Sequence, residues 1–247
     1  MSQPAAQALD DDLPFDLVYS DGWPLDSNWE RIQINLLISV IRQAMVERGQ
    51  RDFFAAGDMF VYHSVQQARD VAEGRPYLRG PDVFFVAGVE DRDRKAWVSW
   101  QENGRLPDLI VELLSPSTAK VDRTVKKDLY ARIFRTPEYF LYEPRKRKLE
   151  GLRLAGDQYV SLAPDGEGRI WSEKLDLKLG LWQGTETGVD TTWVRVFDAQ
   201  GRMVPTAAEA ERQRADAERQ RADAERQRAE AAEAELARLR ARLSESG

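Results

Sequence analysis

The chain has 247 residues, 42% of them apolar, no cysteine and a formal net charge of -6. That is enough apolar sequence for one core of ordinary size with some chain to spare. The lack of cysteine excludes disulfides, thiolate metal sites and cysteine nucleophiles. The opening MSQPAAQALDDDLPF has neither the basic nor the apolar region of a signal peptide. No apolar run approaches the roughly 18 residues that a membrane helix needs. The expectation is a soluble, cytoplasmic protein with no membrane partner.

Charge is unevenly spread. Residues 1–30 hold seven acids (Asp10, Asp11, Asp12, Asp16, Asp21, Asp26, Glu30) and no base, and from Thr206 onward nine arginines face ten acids. The middle therefore carries a small positive excess. Its bases gather at 119–135 and in Arg145, Lys146, Arg147 and Lys148. A local basic surface for a nucleic-acid partner is compatible with this pattern, as are solvated surface charges.

In chain order, residues 1–26, acidic and holding Pro14 and Pro24, form an arm or loop rather than a packed element. Ser27 followed by Glu30 fits a capping box. The helix that it opens, WERIQINLLISVIRQAMVER, brings Trp29, Ile32, Leu36, Ser39, Val40 and Ile41 near one side and closes at Gly49. DFFAAGDMFVYH (52–63) suits a strand pair, or one strand bent at Gly57. The polar VQQARDVAEGRPYLR suits a connecting loop. GPDVFFVAGV, nearly all apolar after Asp82, has the pattern of an interior strand covered on both faces. Residues 90–106 are a charged excursion with two tryptophans. DLIVELL is a second interior strand, broken by SPST and followed by a helix from about Thr118 to Arg135 that Pro137 ends. EYFLYEP, KLEGLRL, DQYVSL, RIWS and LDLKLGLW supply further strands. TTWVRVFDAQGRMVPT has the pattern of a closing hairpin turning at Asp198 to Gly201. This order predicts an α/β or α+β domain over 27–205 with a mixed central sheet.

The tail, 206–247, is a seven-residue repeat: ERQRADA at 211 and 218, ERQRAEA at 225. Stepping back from Leu243 by fours and threes gives Leu239, Leu236, Ala232, Ala229, Glu225, Ala222, Glu218, Ala215 and Glu211. Such a seam predicts a long, charged, largely solvated helix and a weak coiled coil, with any homodimer centred on 229–243 or formed through the globular domain. Arg212 with Asp216, Arg219 with Asp223 and Arg221 with Glu225 stand as ion pairs of a few tenths of a kcal/mol each.

Chemistry concentrates between 80 and 130. Asp82 and Glu112 each sit at or in an apolar strand, and Lys126 and Lys127 follow on the helix. An unpaired carboxylate amid LIVELL would cost several kcal/mol, so Glu112 calls for a cation, unless it faces outward on a wet strand face. Two acids and a lysine are the parts of a metal-dependent phosphodiesterase: Mg²⁺ (or Mn²⁺) takes oxygen ligands, polarises the phosphate and activates a water. Lys126 and Tyr130 share a helix face while Lys127 points about 100° away, so Lys126 is the expected site lysine. Asp108 lies on Glu112's face of the strand but well over 10 Å along it. His63, the sole histidine, has no GxSxG elbow to serve, and no GxxxxGK[ST] loop occurs.

GPDV, VELLSPST, Asp122 with Lys126 and Tyr130, and PEYFLYEP together resemble the Uma-two family (domain of unknown function 820), restriction-endonuclease-like proteins of the PD-(D/E)XK nuclease superfamily. The likeness runs from about Val18 through LEGLRL to FDAQGRMVPT and the charged tail. It implies a nuclease fold, a DNA substrate, Asp82 and Glu112 as metal ligands, and a catalytic lysine. The E-x-K lysine would stand at 114, where this chain has Leu114; the family pattern places it at Lys126 instead. Two functions follow. One is a Mg²⁺-dependent DNA endonuclease with Asp82, Glu112 and Lys126 as its catalytic residues. The other is a non-catalytic nucleic-acid-binding or scaffold relative that self-associates through its helical tail, which Leu114 and the acidic balance favour.

Overall fold

In the computed structural model, residues 13–19, 27–75 and 80–245 are described, apart from the side chains of Leu236, Leu239 and those from Ala241 on. The rest of the acidic arm and the side chains of the tail-seam leucines lie outside what is described. The chain divides into two compact units, one ending at Val204 and one beginning at Pro205.

The first unit is built on a six-stranded mixed sheet. Its strands are β1 (Phe53–Ala56), β3 (Val83–Ala87), β5 (Leu109–Leu113), β6 (Glu138–Glu143), β7 (Lys148–Ala155) and β8 (Gln158–Ser161), adjacent in that order. Among the described strands of this sheet only β5 and β6 run parallel, and the helical run between them is the crossover that a parallel pair requires. A second, antiparallel sheet is made of β9 (Ile170–Ser172), β10 (Leu177–Glu186) and β11 (Val189–Phe197). The fold is thus the mixed α/β architecture that the element order predicts.

Burial explains why β3 and β5 are almost wholly apolar. Alternate residues Val83, Phe85, Leu109, Val111 and Leu113 pack on one face with helix α1 (Asn28–Glu47) and the second sheet. Phe84, Val86, Ile110 and Leu114 pack on the other with Tyr130, Phe134 and Trp97. Helix α1 begins where expected, with the Ser27 side chain accepting from the Glu30 N–H, and stops at a left-handed Gly49. Its buried face matches the predicted one in part: Leu36, Val40 and Ile41 are buried, whereas Trp29, Ile32 and Ser39 are only half-buried. The face is centred on Ile34, Leu37, Val40, Ile41, Ala44 and Met45, with Trp29 and Ile32 at the margin. Gln33 lies fully buried within that face, its amide accepting from Val194 N–H (2.8 Å) and donating to Val194 C=O (3.0 Å), which fastens the helix to β11.

Four expectations need correction. Residues 52–63 are two strands in different sheets, since β2 (Val61–Tyr62) pairs with β4 (Trp97–Val98) and not with β1. The polar stretch taken for a loop forms helix α2 (Val65–Ala72); Ser64 caps it and Ala68 alone is fully buried, so its apolar signal is one residue wide. The charged 90–106 excursion is packed at its centre, where Arg94, residues 96–99 and Glu102 are buried. Arg94 is buried under Phe54 and Trp97 and paired with Glu102 at 2.7 Å, so its charge is neutralised where it is enclosed. Residues 13–19 of the acidic arm have no regular structure but do pack: Leu17 is buried beside Phe60, Tyr62 and Val98. At the other end, the Asp198–Gly201 turn forms as expected, but β11 pairs mainly with β10, leaving a single Phe197–Met203 bridge for the predicted hairpin.

The second unit is the C-terminal helix, Ala207–Glu245. Thr206 and Glu209 cap it reciprocally: the Glu209 N–H donates to the threonine hydroxyl and the Thr206 N–H to the glutamate carboxylate. Every described side chain from Glu211 to Glu235 is exposed. Among the described residues the helix forms the ion pairs Arg214–Glu211, Arg226–Asp223 and Arg226–Glu230, not the three predicted, because exposed arginines on this repeat have acids to choose from on either side.

Candidate active site

The site forms where β3, β5 and the helical run over them meet. Asp82 precedes β3, opposite Glu112 on β5 by the register Val83–Val111, and its carboxylate accepts from the Leu113 N–H at 2.6 Å. Glu112 is 1% exposed. Its two oxygens are separately engaged: Oε2 accepts from Lys126 Nζ at 2.9 Å and Oε1 from the Tyr130 hydroxyl at 2.7 Å. The reading of Glu112 as a residue on a wet face is thereby excluded. Lys126 Nζ also stands 3.2 Å from Asp122 Oδ1, which is buried and has no hydrogen-bond partner of its own.

The crossover helix is unusual, and its irregularity serves the site. Between Ala119 and Phe134 it alternates α turns (Ala119–Val121, Lys127–Leu129) with π turns (Asp122–Lys126, Tyr130–Phe134). The buried side chains Asp122, Lys126, Tyr130 and Phe134 recur every four residues. At 3.6 residues per turn the last would stand about 120° round from the first. Wider π turns take up that difference, so one straight stripe stays on the sheet. The Tyr139 hydroxyl holds the Asp122 carbonyl at 2.9 Å, inside the first π turn. After Phe134, Arg135 turns left-handed (φ 55°) and Pro137 follows.

Leu114 fits this picture. Two residues beyond Glu112, it is buried on the same face, in contact with the Tyr130 cluster. An ammonium that a lysine at 114 would raise from the strand is instead lowered from the helix by Lys126.

Glu112 and Asp122 contact the Lys126 ammonium, and Asp82 lies near enough to act on its charge, in a poorly hydrated place. Burial raises the Asp82 pKa to about 6, against the lowering effects of Lys126 and the Leu113 N–H. Burial likewise pushes Glu112 well above the usual carboxylate range, with Lys126 opposing and Asp82 and Asp122 adding to the rise. Burial works against the Lys126 charge, but Glu112, Asp82 and Asp122 outweigh it and raise its pKa. The lysine is a fixed cation.

The expected residues Asp82, Glu112 and Lys126 are therefore brought together, and two more acids join them. Asp122 stands four residues before Lys126 on the buried stripe, a spacing readable in the sequence. Glu30, taken only for a capping residue, is buried at the start of α1 and lies near enough to Asp82 to add to its raised pKa. Nothing in its local sequence marks it. Asp108 is elsewhere, its carboxylate accepting from the Ala87 N–H at the far end of β5. His63 ends β2 against Phe134.

A divalent metal fits this donor set in kind. All the available ligands are oxygens, as Mg²⁺ or Mn²⁺ prefers, the acids outnumber the ammonium, and Asp122 Oδ1 is buried without a hydrogen bond. Among the described residues, however, no three acids or imidazoles close on one point at ligand spacing. The Lys126 ammonium lies between Glu112 and Asp122, and a metal would compete with it there.

Residues 11–190 match the sequence profile of a family described as "Uma2: Putative restriction endonuclease". The chain belongs to the Uma2 family. Among solved structures it is similar to a protein from Anabaena variabilis titled a putative nuclease belonging to DUF820, with 14% identity and a TM-score of 0.42, covering 64% of this chain and 81% of that one. No curated protein matches it. The Uma2 match ends before the last strand is complete and excludes the C-terminal helix, so the family resides in the sheet-bearing unit.

Proposed function

We propose that the protein is a divalent-metal-dependent endonuclease that hydrolyses phosphodiester bonds in DNA. The observation that carries this reading is the pairing of the Lys126 ammonium with Glu112 and Asp122, with Asp82 opposite Glu112 on the neighbouring strand, in a chain of the Uma2 family. Asp82 and Glu112, with Asp122 beside them, would hold Mg²⁺ or Mn²⁺. Bound there, the ion supplies Lewis-acid polarisation of the scissile phosphate and a water acidified for attack. Everything else falls to the chain. Tyr130 occupies one oxygen of Glu112, fixing the carboxylate plane and directing the other oxygen at the site. Lys126, whose pKa its acid neighbours raise, is suited to stabilise the negative charge that grows on the phosphate. Relaxation of supercoiled plasmid in Mg²⁺ or Mn²⁺, set against EDTA, tests this function.

The second reading, a binding-only relative, is favoured by the Lys126 ion pairs, which already neutralise part of the acid cluster, and by Leu114 in the E-x-K position. Salt-dependent DNA binding without relaxation in either metal would select it.

A further inference from the structure

Lys127 adjoins Lys126 but turns away from the acid cluster, as the helix period requires. It lines a cleft of about 540 Å³ next to the site. The walls include Arg123 one turn back, Lys148 and Glu150 on β7, and a floor of Leu141 and Leu152. Leu141 is the cross-strand partner of Glu112, and Glu150 is the partner of Leu141. The cleft thus opens one to two strand spacings, about 5–10 Å, from the candidate catalytic glutamate.

Three cations and one carboxylate line this cleft in a protein whose net charge is -6. Arg123 is already fixed, its guanidinium shared between Glu143 (3.2 Å) and Glu150, and Lys148 also pairs with Glu150. Lys127 differs. Its side chain is half-buried, and among the described residues no carboxylate lies within ion-pair distance of it. A partly desolvated ammonium without a counterion, held on the helix that also delivers Lys126, is suited to an anion from outside the molecule.

We propose that this cleft is the track of the nucleic-acid strand beside the site, with Lys127 binding a backbone phosphate one or two nucleotides from the scissile one and Arg123 forming the rigid wall. The proposal rests on the nuclease reading and adds to it a path for the strand. It also gives the paired lysines separate tasks: Lys126 inside the acid cluster, Lys127 on the flanking phosphate. Apart from the Ser161 hydroxyl and the charged walls the lining is apolar, so the contacts on offer suit a phosphate backbone more than base edges. Binding through this cleft is accordingly independent of sequence.

Fluorescence anisotropy of the full chain with labelled single-stranded and duplex oligonucleotides, in EDTA and across a salt series, measures binding apart from cleavage. Lys127→Gln is expected to weaken binding several-fold near 100 mM salt and to flatten the plot of log K against log salt by about 0.7 to 0.9, the worth of one phosphate contact. Lys127→Arg should restore both, and Lys174→Gln, at a residue outside the cleft lining whose ammonium stands 3.9 Å from Asp108, should change neither. If the wild type binds DNA and Lys127→Gln leaves its salt slope unchanged, the strand does not follow this cleft, although the nuclease reading stands. Binding that is lost in Lys127→Gln while metal produces no nicking in the wild type upholds the cleft and overturns the nuclease. A wild type that binds neither oligonucleotide overturns both.

Discussion

At the scale of single residues, the site is a concentration of charge that the fold tolerates at a cost. Asp82 has its pKa raised to about 6, well above its unfolded value, so folding favours the protonated acid. The sign follows: its contribution to stability is greatest below about pH 4 and is lost as pH rises through about 6. Metal-free Asp82→Asn is expected to be more stable than the wild type at pH 8, by on the order of 1 kcal/mol after allowance for its partial exposure, and the difference should vanish near pH 4. Thermal unfolding in EDTA at the two pH values measures it; a variant less stable at pH 8 would contradict the account. Lys126→Met works in the opposite direction. It leaves Glu112 and Asp122 buried without their cation, and about 3 kcal/mol or more of stability should be lost, measurable by urea unfolding. The Glu112–Lys126 pair was legible in the sequence because a carboxylate within an apolar strand demands a partner, whereas Asp82, at a strand entry, was singled out by the family resemblance. Glu30 was not legible, since its nearness to Asp82 joins segments more than fifty residues apart and leaves no local pattern.

At the scale of elements, the buried strands and the capped helix ends could be read from the sequence, because they depend on runs of apolar residues and on single capping side chains. Helix α2 and the packing of 90–106 could not. Their burial rests on one alanine in the first case and on an arginine enclosed by two aromatic rings in the second, and both are polar in composition. The π turns are equally hidden: a buried stripe of Asp122, Lys126, Tyr130 and Phe134 is not an apolar pattern at all. Helix α1 shows how a polar residue can set an element's place. Gln33 makes two buried hydrogen bonds to Val194, and Gln33→Leu would leave that peptide group unpaired. A loss of about 2–3 kcal/mol is expected in urea unfolding, against a few tenths for a substitution on the exposed side of α1 such as Arg31→Gln. Equal losses would mean that packing alone holds the helix.

At the scale of the whole molecule, the C-terminal helix and the sheet-bearing unit rest on different physics. The first is held by caps and by exposed i,i+3 and i,i+4 ion pairs, and its described side chains bury almost nothing. An alanine and glutamate seam predicts, at most, weak pairing through the tail. By sedimentation, the full chain should associate only at high concentration, and a chain ending near Thr206 should not associate at all; equal dimers of both would place the interface in the globular unit. The proposed metal-dependent nuclease site, the acid cluster with its lysine, lies in the sheet-bearing unit. Glu112→Gln tests it most directly, for it keeps the shape of the side chain and the Tyr130 contact while removing the charge. Initial rates of plasmid nicking in Mg²⁺ should fall at least about a hundredfold in this variant, with DNA binding in EDTA retained. A wild type inactive in both Mg²⁺ and Mn²⁺, or a variant that nicks as fast as the wild type, would contradict the account.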